Sequence, residues 1–128
     1  MNYYINKTIR AGFDEAVEMV TEALKEKGFG ILSEIDISEK MREKMDIEFR
    51  KYKILGACNP PFAYKALQHE DKVGTLLPCN VIVQEVGDQL VEVAAVDPVA
   101  SMVSISNPGL TRIAEEVRDI FEEMIEEL

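Results

Sequence analysis

The sequence predicts an α+β fold: one compact domain over residues 1–128, with a mainly antiparallel sheet and helices packed largely on one face, in the order β-α-β-α-β-α-β-β-α. Three observations carry this. Stretches of period-two apolar alternation are interleaved with stretches of helical periodicity. The fourth and fifth strand patterns, Val81 to Val86 and Leu90 to Val96, are separated only by Gly87-Asp88-Gln89, a connection short enough to force an antiparallel hairpin. Finally, 128 residues suit one hydrophobic core, and no linker, low-complexity tract or internal repeat divides them.

The first strand is read from Tyr3, Ile5, Lys7 and Ile9 alternating with Tyr4, Asn6 and Thr8. Phe13, Ala16, Val17, Val20 and Leu24 then recur at helical spacing, and Gly28 stands where a left-handed cap would end that helix. Phe29, Ile31, Ser33, Ile35 and Ile37 alternate as a second strand. Ser38 begins a short helix to about Met45, with Met41 and Met45 expected to face inward. Tyr52 to Cys58 is the third strand, and a short third helix after Pro60 places Ala63, Ala66 and Leu67 on one face.

After the hairpin, Leu110, Ile113, Ala114, Val117, Ile120, Phe121, Met124, Ile125 and Leu128 form a broad apolar stripe on a long C-terminal helix. Its other face is rich in Glu, and so many carboxylates near a helix C-terminus oppose the helix dipole. Asn59-Pro60, Asp97-Pro98 and Asn107-Pro108 are each read as a helix start. The Asx side chain accepts from unpaired N–H groups, and proline suits the first helical position.

Net charge is −10, from 24 acidic and 14 basic residues, a field that repels nucleic-acid phosphates and acidic membranes. The basic residues between Lys40 and Lys53 are interleaved with Glu39, Glu43, Asp46 and Glu48, which makes a solvated face rather than a phosphate patch. No apolar run approaches a membrane span, and the first residues lack a signal-peptide pattern, so a cytoplasmic protein is expected. No nucleic-acid or membrane partner is expected.

The two cysteines carry the sharpest chemical question. Cys58 ends a strand directly before the helix start at Asn59, where the positive end of a helix dipole favours thiolate over thiol. Cys79 opens the fourth strand and is followed by Asn80. If the fold brings them together, Cys58 and Cys79 could serve as a redox dithiol or as two soft ligands for a metal such as copper or zinc. Buried, inert packing is the competing reading for both. His69, the only histidine, lies in the polar stretch Gln-His-Glu-Asp-Lys and reads as an exposed residue before it reads as a third ligand. The methionines default to core filling. Nucleotide-binding glycine loops, HExxH and GxSxG are absent, which lowers the expectation of a conventional kinase, dehydrogenase or hydrolase.

The stretch "YKILGACNPPFAYKALQHEDKVGTLLPCNVIV", followed by the hairpin and "VDPVASM", resembles the uncharacterised domain-of-unknown-function 302 family over essentially the whole chain. The motif positions are Gly56, Cys58, Asn59, Pro60, Leu77, Pro78, Cys79, Asp97, Pro98 and Met102. The resemblance implies a compact α+β domain that tends to form dimers and has no established activity. It transfers no catalytic role or cofactor.

Two functional readings follow. The first is a ligand- or metal-binding module, taking a small molecule or soft metal ion, with Cys58, Asn59, Cys79, Asn80 and Met102 as candidate site residues. The second is a thiol-dependent redox enzyme using Cys58 and Cys79. A dimeric interaction domain with structural cysteines is the plainer alternative. A homodimer is expected, with the overhanging end of the C-terminal helix or an edge strand at the interface.

Overall fold

Residues 2–128 are described by a computed structural model. Five strands form one antiparallel sheet in the order β1-β5-β4-β3-β2: β1 (Tyr4–Arg10), β2 (Gly30–Asp36), β3 (Tyr52–Cys58), β4 (Cys79–Gly87) and β5 (Leu90–Val96). The helices are α1 (Phe13–Glu26), α2 (Ile37–Met45), α3 (Pro60–His69), α4 (Pro98–Ser101) and α5 (Pro108–Glu127), with a 3-10 helix over Asp71–Leu76. The order matches the expected one, with the 3-10 helix and the single turn of α4 added.

Alternation decides which side of the sheet is covered. Leu55, Ala57, Val81, Val83, Val91, Val93 and Ala95 are buried in one core with Ala16, Val20 and Leu24 of α1 and Val117, Phe121, Met124 and Ile125 of α5. Their neighbours on the opposite face, including Tyr4, Tyr52, Ile54, Ile82 and Ala94, are only half-buried. The α5 stripe therefore lies on its own sheet. Phe121, Met124 and Ile125 are at most 3% exposed, so the expected overhang at the end of this helix does not exist.

The helix ends behave as the local chemistry requires. Gly28 takes a φ of +87°, and the N–H groups of Gly28 and Phe29 close on the carbonyls of Lys25 and Leu24, the bonding pattern of a left-handed cap. Each Asx-Pro pair starts a helix. Asn59 Oδ1 accepts from Phe62 N at 3.2 Å, Asp97 Oδ1 from Val99 N at 2.9 Å, and Asn107 Oδ1 from Leu110 N at 3.2 Å. Asp36 caps α2, two residues before the expected start at Ser38, and the Ser38 hydroxyl bonds to it at 2.7 Å.

Two expectations fail for reasons that involve the partner strand or neighbouring elements. The second strand does not keep a single alternation: its register against β3 shifts between Ile31 and Ser33. The inserted Leu32 reverses the faces beyond it, which leaves Ile35 paired with Ile54 and 42% exposed. Met41 and Met45 do not turn into a core. Helix α2 buries none of its residues, and Met45 is 64% exposed.

Candidate functional site

The ends of two neighbouring strands bring the cysteine motifs together. Ala57 of β3 stands opposite Cys79 of β4, so Cys58 is one residue beyond that pair. Cys58 is held by the strand behind it and by the capped turn of α3 ahead of it. Cys79 follows Pro78, whose peptide bond with Leu77 is cis. Gly56 makes room for this arrangement. A Cβ there would collide with Ser33 Oγ and come within 2.7 Å of Pro78 Cγ, so the proline ring rests where another residue would carry a side chain.

Both cysteines line one cleft of about 350 Å³ between β3, β4, α3 and α5. Phe62, Ala63 and Ala66 of α3 form one wall, and Leu110, Ile113 and Ala114 of α5 form another. Leu77 and Pro78 precede Cys79 at the sheet end, while Pro98 and Met102 close the side formed by α4. Phe29 links this region to the main core, with its ring 5.0 Å from that of Phe121 and 6.5 Å from that of Phe62. Alanines on facing helices create the space: Ala66 and Ala114 are buried, yet neither is large enough to fill it.

The two thiols differ in environment. Cys58 is half-buried, and Cys79 is buried. Burial, and secondarily the nearby Cys58, pushes the Cys79 pKa from 9.0 up to about 11, because a thiolate there would lose its hydration. Cys79 is therefore a neutral thiol at pH 7.

Four of the five candidate residues read from the sequence, Cys58, Asn59, Cys79 and Met102, line this cleft. Asn80 does not. It follows Cys79 along a strand, so its side chain is directed to the opposite face, where it lines a second groove with Tyr3, Tyr4, Tyr52 and Glu92. His69 is exposed at the end of α3 and is not among the lining residues. Among the described residues, no group of three or more His, Cys, Asp or Glu side chains converges as a metal site would require. The apolar walls were legible as core positions, but their separation into a cleft was not. The small residues at 63, 66 and 114 were the available signal.

Over residues 5–128 the chain matches the family model described as Domain of unknown function DUF302. The chain belongs to the DUF302 family. A solved DUF302 structure, that of an uncharacterized conserved protein from Bacillus stearothermophilus, superposes with a TM-score of 0.88 at 26% sequence identity. The match covers 97% of this chain and 96% of that one, so the DUF302 fold is shared from end to end. No curated protein matches the chain. Among the described residues of this DUF302 domain, no helix is long and apolar enough to cross a membrane.

Proposed function

We propose that this DUF302 domain is a small-molecule-binding module whose site is the cleft at the two cysteine motifs. The observation that carries the reading is the cleft itself: about 350 Å³, apolar, with Cys58, Asn59, Cys79 and Met102 on its walls. Sites for small molecules are concave, largely apolar and equipped with a few convergent polar groups, and this volume lies at the lower end of their range. A soft metal is the less favoured occupant. Among the described residues, no third His, Cys, Asp or Glu joins the two cysteines to complete a ligand set. The test uses 1-aminonaphthalene, neutral at pH 7, as a fluorescent probe. Saturable enhancement is expected, and it should be lost in Ala114→Phe and in Ala63→Phe, each of which fills the cleft from a different helix. A native protein that gives no saturable signal would remove this reading.

Thiol redox chemistry is a second reading, favoured by one observation: the Ala57–Cys79 register makes Cys58 and Cys79 near neighbours. Equilibration in glutathione buffers followed by mass analysis tests it. Formation of an intramolecular disulfide at a defined potential supports a dithiol, whereas mixed glutathione adducts at Cys58 alone count against it.

The assembly proposed is a homodimer in the cytoplasm, with neither nucleic acid nor membrane as partner. The surface that supports the dimer is the region around α2, since the end of α5 is buried. Ile35, Met45 and Ile47 are 42%, 64% and 43% exposed, and no residue of α2 is fully buried within its own chain. Unpartnered apolar surface of this kind marks association. Light scattering should give twice the 14.4 kDa chain mass. A mass that stays at that of one chain on concentrating would exclude the dimer.

A further inference from the structure

The lining of the cysteine cleft contains no Lys, Arg, His, Asp or Glu. Apart from the two thiols, its only polar side chain among the described residues is Asn59. The Oδ1 of Asn59 already accepts from Phe62 N, and its Nδ2 stands beside Gly28, outside the cleft lining. Burial keeps Cys79 protonated, so that wall also presents an S–H and no charge at neutral pH. A ligand entering here finds apolar surface and a thiol donor, but no counter-ion.

We propose that the cleft selects an uncharged, mainly apolar molecule of about a dozen non-hydrogen atoms bearing one acceptor oxygen. The size follows from the cleft volume of about 350 Å³, at roughly 30 Å³ for each water-sized atom. The acceptor oxygen answers the S–H of Cys79. Neutrality follows from the walls, since a carboxylate, phosphate or ammonium group buried among them would be an unpaired charge. The protein's net charge of −10 adds long-range repulsion against anions. Nucleotides, sugar phosphates and acyl carboxylates are therefore the wrong class. This inference rests on the ligand-binding reading of the same cleft, and it adds the charge and polarity of the occupant.

Three probes with one chain length separate the outcomes: 1-octanol, octanoate and octylammonium, titrated at pH 7 with methyl chemical shifts of Met102 and Leu110 as the readout. Each has fewer non-hydrogen atoms than the cleft accommodates, so the three differ only in the head group offered to it. The expected result is octanol binding at least about thirtyfold tighter than either ion. Equal affinities, or tighter binding of octanoate or octylammonium, would overturn the inference while leaving the cleft a binding site. Shifts from none of the three would overturn both. Ala63→Phe should abolish the octanol shifts at Leu110 with the fold retained, and persistence of those shifts would place the probe elsewhere and count against the proposal.

Discussion

At the scale of single residues, the two cysteines occupy one neighbourhood with unequal access to solvent and charge. Raising the Cys79 pKa from 9.0 to about 11 lowers its thiolate fraction near pH 7.5 about a hundredfold relative to an unperturbed thiol. Iodoacetamide should therefore label half-buried Cys58 first in the native protein, and peptide mass mapping against time would show the order. Faster labelling of Cys79 would contradict its buried, protonated state. The same shift makes stability depend on pH. The native state binds this proton more tightly than the unfolded chain does, so the stabilisation is complete below about pH 9 and is lost as pH rises through about 11. Denaturant melts at pH 8 and pH 11 should show the wild type losing about 2 to 3 kcal/mol more than Cys79→Ala. The comparison with the variant removes the contribution of lysines that titrate in the same interval. Gly56 is the other decisive residue. Gly56→Ala should cost about 1 to 3 kcal/mol, because Ser33 and Pro78 occupy the space a methyl group needs.

At the scale of elements, capping chemistry and apolar periodicity act at different ranges. The Asx-Pro starts are local, since a side-chain oxygen reaches an N–H two or three residues on. All three were readable for that reason. Asn107 has a further role: its Nδ2 donates to the carbonyl of His69 at 2.9 Å, so one residue starts α5 and ties it to the end of α3. Asn107→Ala should cost about 1 to 2 kcal/mol by chemical denaturation. Helix α5 illustrates the longer range. Its stripe was readable, but whether the sheet or a partner covered the last turns was not. Phe121 is fully buried in the main core beside Phe29, so Phe121→Ala should cost about 3 to 5 kcal/mol as a core truncation. A loss below 1 kcal/mol would return that position to the surface.

Across the whole molecule, distant residues settle conflicts that a local reading leaves open. The Glu-rich end of α5 opposes its dipole, yet Lys7 of β1 donates to the carbonyls of Glu126 and Leu128 at 2.9 and 2.6 Å. Lys27, just past α1, bridges Glu123 and Glu127, each at 2.9 Å. Those carboxylates raise the Lys27 pKa, Glu127 more than Glu123. Cations from two other elements thus stand at the helix end where the dipole is negative. Lys7→Met should lower stability by about 0.5 to 1 kcal/mol and loosen the last turn of α5, seen as faster amide exchange there.

The sequence by itself determined the α+β class, the hairpin, the strand and helix order, the cap of α1 and the three Asx-Pro helix starts. Each follows from side-chain period or from a contact spanning a few residues. Only the tertiary structure decided that Ala57 faces Cys79, that Leu32 reverses the faces of β2, that Asn80 turns away from its neighbouring cysteine's cleft, and that α2 is left without a core. It also decided that the walls of α3 and α5 stand apart around an uncharged space. Periodicity tells which residues avoid water, but strand register and helix spacing tell what they meet. Those depend on residues far apart in sequence whose pairing leaves no local mark.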